Sequence, residues 1–225
     1  MAISILGYTK INDNTADSSQ SVTIPASTDL VLACICGWRN PANTITSFSL
    51  DGTSLTHIGT YNSASPAYNH TFAYYYKGSI TGSKTLAWNH GNTFTEGGAK
   101  ILVYCGGVDQ TSPIVASQVL GAVNGTALVT WTSSTHTCSV DDVAVVMGSE
   151  YAPYDNIDID INSQTSIFED NTGYNAEKYA AAYKVATGTS IYTQMSGNYV
   201  GGLSVVLKPA ATGGNRRRHA LVIGA

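Results

Sequence analysis

One stretch of the sequence, YDNIDIDINSQ, gathers oxygen ligands: Asp155, Asn156, Asp158, Asp160 and Asn162. A hard cation such as calcium takes about 6–8 oxygens, often from a loop of this kind, so Asp155, Asp158 and Asp160 are calcium candidates. No EF-hand register is present, because the central glycine and the closing glutamate are missing. An alternating strand with aspartates on its solvated face explains the same residues more simply. Asp158 and Asp160 would stand roughly 7 Å apart on that face, within the span of a glycosidase carboxyl pair, but exposed strand carboxylates show this spacing routinely.

The four cysteines allow a second chemistry. Cys34 and Cys36 sit two apart in LVLACICGW, which on a strand places both on one face, poorly set to bridge each other. Cys105 and Cys138 are remote in sequence. A zinc set of Cys34, Cys36, Cys105 and His136 matches no paired C-x-x-C spacing, and burial as small apolar side chains is the expected role. His57, His70, His90 and His136 fall near turns or strand ends with no Ser, Cys or carboxylate pattern beside them, and are expected as surface or interface histidines. There is no G-x-S-x-G elbow, no phosphate-binding glycine loop with a lysine and no H-E-x-x-H. An enzyme is not expected, and neither is a cofactor.

The elements that must position these residues are short apolar runs separated by turn chemistry. AISIL (2–6), SVTI (21–24), LVLACICGW (30–38), ITSFSL (45–50), TFAYYYK (71–77), TLAW (85–88), KILVYCG (100–106), ALVTWT (127–132), VAVVMG (143–148), IDIDI (157–161), YAAAYKV (179–185) and GLSVVLK (202–208) read as strands. LVLACICGW, ILVYC and GLSVVL are apolar on both faces, as central strands covered on each side would be. AEKYAAAYKVA carries helix-forming Ala, Glu and Lys, but its glycine-bounded neighbours place it as a strand. The fold class expected is all-β, a jelly-roll-like antiparallel β-sandwich. Within TFAYYYK, the core takes Tyr74 and Tyr76 or else Tyr75, leaving the other face for solvent or a partner; Tyr75 is the interface candidate.

Composition agrees. Of 225 residues only 12% are charged, about half the usual share near ~25%, while 49 are Ser or Thr and 22 are Gly. That surface of hydroxyls and amides is unlike a helical bundle, and 43% hydrophobic residues exclude a disordered chain. No apolar run approaches the roughly 18 residues of a membrane helix, and the N-terminus lacks the pattern of a secretory signal, so folding in a reducing cytoplasm is expected. The net charge of −4 divides unevenly. Residues 1–215 hold eight bases against 15 acids, no Lys or Arg stands between Lys100 and Lys178, and Arg216, Arg217 and Arg218 are consecutive. So acidic a body disfavours nucleic acid.

Residues 1–209 read as one β-sandwich domain. Residues 210–225 read as a flexible basic and apolar tail, AATGG followed by NRRRHALVIGA. Arg216, Arg217 and Arg218, with Leu221, Val222 and Ile223, are the candidate anchor: charges for a neighbour's carboxylates, then a short apolar segment for a groove or sheet edge.

The order SVTIPASTDLVLACICGW, ITSFSLDGTSLTHIG, AYYYKGSITGSKTLAW, ILVYCGGVDQTSPI and YVGGLSVVLKPA resembles a β-sandwich domain of tailed-bacteriophage virion proteins. The pairing of GVDQTSPI (107–114) after a buried strand with a last strand ending in VVLKPA carries most of the likeness, which spans roughly residues 18–210. The resemblance implies a structural or adhesive module without catalysis. The expectation is a capsid decoration or cement subunit of a virion, folded in the host cytoplasm and bound to the major capsid protein. Homo-oligomers, trimers among them, are expected, with no nucleic acid or membrane partner. The rival is a tail-associated or carbohydrate-binding adhesin.

Overall fold

A computed structural model describes residues 2–13, 15–38, 44–62, 69–91, 98–123, 129–151, 157–159, 161–170, 177–197 and 199–211. In chain order the strands are β1 (Ser4–Asn12), β2 (Asp17–Trp38), β3 (Ile45–Leu50), β4 (Thr53–Ser54), β5 (Thr56–Asn62), β6 (Asn69–His90), β7 (Gly98–Gly106) and β8 (Ile114–Val123). There follow β9 (Val129–Thr132), β10 (His136–Thr137), β11 (Val143–Tyr151), β12 (Thr165–Asp170), β13 (Glu177–Val185), β14 (Ser190–Ile191), β15 (Gln194–Gly197) and β16 (Tyr199–Leu207). The all-β antiparallel sandwich expected from the alternation pattern is the observed architecture.

One sheet runs β1-β7-β2-β6-β3-β4, with β5 also on β6; the other runs β12-β13-β11-β16-β8. Between them lies the main core. Leu30, Leu32, Cys34 and Cys36 of β2 and Ile101, Val103 and Cys105 of β7 meet Val143, Val145 and Met147 of β11 and Leu203, Val205 and Leu207 of β16. These alternate residues point one way because strand side chains have a period of two. Burying each large apolar side chain stabilises by roughly 1.5–3 kcal/mol.

The opposite face of the same strands is also covered. SVTI and LVLACICGW, expected as two strands, are halves of the single β2, and TFAYYYK and TLAW are halves of β6. The register of this ribbon shifts between Ile24, Thr28 and Leu30, where Ser27 has φ 66°. Gly78 and Gly82 lie at φ 137° and 78° on the partner strand. Such bulges bend a ribbon without ending it. The bend lays Val22, Ile24, Leu86 and Trp88, with Phe48 and Leu50 of β3, against Val31, Ala33, Ile35, Leu102 and Tyr104, forming a second core.

Side chains close both flanks of the sandwich. Tyr8 of β1 stacks on Phe168 of β12 at 4.4 Å, and Lys10 pairs with Asp170 there. Across the molecule β5 lies so near β8 that a Cβ on Gly121 would be 2.3 Å from the Tyr61 ring. The outer face of the second sheet carries Trp131 and Met195 of the β9–β15 pair, packed with Ile157, Ile159, Val146 and Ala182.

Two local expectations are settled here. AEKYAAAYKVA is a strand, because β13 is hydrogen-bonded on both sides, to β11 and β12, and its Ala180, Ala181 and Ala182 are fully buried. IDIDI is corrected: its described residues, 157–159 and 161, form no extended strand, and among them Asp158 makes a single bridge, to Ser196. Its alternation survives, since Ile157 and Ile159 are buried and Asp158 is exposed.

Candidate functional site

The GVDQTSPI turn and the end of the last strand, far apart in sequence, meet. Val108 bridges Pro209, Asp109 N donates to Lys208 O at 2.9 Å, and Ala210 N donates to Gly107 O at 2.7 Å. The Asp109 carboxylate accepts from Thr111 N and Ser112 N at 2.8 and 2.9 Å and pairs with Lys208 at 3.1 Å. Hydrogen bonds from the Ser112 and Thr111 amides and from Lys208 hold it down at about 2, ionised throughout the neutral range. Asp29 Oδ2 receives Gly107 N at 2.9 Å, fastening the turn to β2. Lys208 and Pro209 also line an apolar groove of about 350 Å³ with Val115, Cys138 and Val140. Val115 and Val140, 43% and 58% exposed, are two of the four large apolar side chains left in solvent among the described residues.

Arg216, Arg217, Arg218, Leu221, Val222 and Ile223 lie outside the described residues, as do Asp155 and Asp160. Of the other oxygen ligands in the YDNIDIDINSQ stretch, the Asn162 carbonyl accepts from Lys184 Nζ at 2.7 Å. Among the described residues no three His, Cys, Asp or Glu side chains come together as a metal-holding group.

Both faces of TFAYYYK contribute to a core, where the alternation offered either Tyr74 and Tyr76 or Tyr75. Tyr74 and Tyr76 join the second core, and Tyr75 lies half-buried against the main core. The reason is the folded-back ribbon, which gives β6 a layer on each side. Cys34, Cys36 and Cys105 are buried in the main core, with the first two sulfurs 3.1 Å apart. The Cys34 thiol is pushed well up by its hydrogen bond with Cys36 and by burial, and Cys105 is raised by burial.

His70 and His90, expected on the surface, are fully buried. Each ends a face of β6 that continues inward as apolar side chains, Phe72 and Tyr74 after His70 and Trp88 before His90. Lys100, at the start of KILVYCG, is fully buried as well. Its Nζ lies 4.3 Å from the Trp88 ring centroid and donates to Asp13 O. Burial lowers its pKa to about 8, against a smaller upward pull from Asp13.

A polar–aromatic groove of about 380 Å³ opens between β3 and β5. Its floor is Phe72 and Tyr74, and its walls include Ile45, His57, Thr60 and Asn62. His57 Nε2 is 2.9 Å from Thr60 Oγ1, and the His57 ring lies 5.0 Å from that of Tyr74. Asn62 Oδ1 accepts from His70 Nδ1 at 2.7 Å. The tyrosine cluster pointed towards Tyr74 from sequence, but nothing in the sequence places His57 and Asn62 beside it. Comparison with family models, curated proteins and solved structures finds no match to this chain.

Proposed function

We propose that the chain is a bacteriophage virion structural protein, a non-catalytic capsid decoration or cement subunit that attaches to neighbouring capsid proteins. The observation that supports this is the clamp of GVDQTSPI on VVLKPA. It holds Lys208, Pro209 and Ala210, the residues preceding the tail, beside the apolar groove at Val115 and Val140. A surface of hydroxyls and amides suits broad wet contacts with other subunits, and a second copy, as in a trimer, is part of this reading. The host cytoplasm is where it folds and the virion where it resides.

Attachment is assigned to the tail. Deleting residues 213–225 is expected to leave thermal unfolding nearly unchanged while incorporation into particles, or self-association, falls sharply. Changing Arg216, Arg217 and Arg218 to Ser should weaken attachment roughly tenfold at low salt and less at high salt, since exposed ion pairs are worth about 0.2–1 kcal/mol each and are screened. Co-sedimentation with tail-less and complete subunits measures both. A truncated chain that decorates particles as well as the full one overturns the anchor.

The second reading, a tail-associated or carbohydrate-binding adhesin, is favoured by the groove between β3 and β5. Attachment to host cell surfaces rather than to assembled capsids would select it.

A further inference from the structure

We propose that the groove between β3 and β5 is a binding site for one neutral pyranose unit of a glycan. The inference deepens the adhesin reading and is independent of the tail's role in attachment.

Three features argue for a sugar over other ligands. A volume of about 380 Å³ falls at the lower end of small-ligand sites, which run from about 300 to 1,000 Å³. The described lining offers hydroxyl, amide and imidazole groups, with no carboxylate, lysine or arginine among the described residues. What does line it is aromatic edge interleaved with hydroxyl, amide and imidazole, matching a molecule with apolar C–H faces and a rim of hydroxyls.

The hydrogen-bonding groups are also pre-set. Asn62 spends its carbonyl oxygen on buried His70, which fixes the amide orientation and leaves both N–H donors of Nδ2 for a ligand. Burial raises the Tyr74 phenol to about 12, so it stays protonated and able to donate. His57 and Thr60 are held against each other at 2.9 Å on the same strand. Groups ordered before binding lose less entropy when the ligand arrives.

The test is saturation-transfer NMR on the full chain with glucose, galactose and N-acetylglucosamine as separate probes, over a titration reaching well above the millimolar affinity expected for one sugar unit. The expected result is saturable transfer from at least one of them. Asn62→Asp keeps the acceptor for His70 but removes the amide donors, and Tyr74→Phe keeps the ring but removes the hydroxyl. Each should weaken binding about tenfold with the melting temperature nearly unchanged, while Tyr76→Phe, in a separate groove beside Lys84, should bind as wild type. Absence of transfer from all three sugars overturns the proposal, and so does binding that both groove variants leave intact. Either failure leaves the tail anchor standing, because that is read from particle attachment.

Discussion

Replacing Gly148 by alanine is expected to destabilise the protein by about 3 kcal/mol or more, at the upper end of overpacking effects. Gly148 sits in the middle of β11, opposite Gly202 of β16 and Ala180 of β13. A Cβ there would stand 2.2 Å from the Gly201 carbonyl oxygen and 2.7 Å from Gly202 Cα. Both obstacles are backbone in a central strand, so neither can swing aside as a side chain would. For a chain of this size the melting temperature should fall by roughly 6–12 °C. Gly188 provides the control: a Cβ there meets nothing within 4 Å, so Gly188→Ala should stay within about 0.5 kcal/mol of wild type. Equal melting of the two variants in calorimetry would contradict the close approach of β11 to β16.

Lys100→Met is expected to raise stability at neutral pH. The native state holds Lys100 at about 8, against 10.5 for the free side chain. Between those values the unfolded chain binds a proton that the folded chain does not, so this lysine makes stability rise with pH across that window. Below about pH 8 the full cost of burying the charge, about 3 kcal/mol, is present. Part of the gain on substitution is offset by the lost contacts with Trp88 and the Asp13 carbonyl. A net gain of about 1–3 kcal/mol is therefore expected at pH 7, shrinking as pH rises from 8 to 10.5. The difference between variant and wild type is the quantity to follow in denaturant titrations. Raised thiols such as Cys105 act the other way as pH rises, and they cancel in the difference. A variant less stable at pH 7, or a difference that does not vary with pH, would show that Lys100 is not held as a costly buried charge.

The parts of this fold that were legible in the sequence are those where one strand's own residues decide its place. LVLACICGW is apolar on both faces, and β2 is indeed covered on both. Among the strands that escaped notice, β5, β12 and β15 are mostly polar with one or two apolar residues each, and β8, although it holds Ile, Val and Leu, is interrupted by Ser, Gln and Gly. Their extension is decided by the neighbours they pair with, which a linear reading does not contain. Pro25, Ser27, Gly78 and Gly82 mark departures from regular strand, but turn and bulge use the same residues, so β2 and β6 read as pieces. The groove between β3 and β5 was hidden for a related reason. His57, Asn62 and Tyr74 converge only because β5 runs beside β6, and His70 supports Asn62 from inside a core that the bend of β6 creates.

That bent ribbon has a consequence for synthesis. β2 leaves the ribosome before either neighbour exists: Cys36 pairs with Thr71 of β6 and with Ala99 of β7. At about 5–20 residues per second, the interval between making β2 and completing β7 is on the order of 3–13 s. Until β6 follows within that interval, LVLACIC has no partner strand, and an unpaired run of β-prone apolar residues without charge or proline is a template for association between chains. A strand enclosed on both faces in the finished protein is thus unprotected while the chain is being made. The yield of folded protein should therefore depend on how crowded the chains are while they are being made.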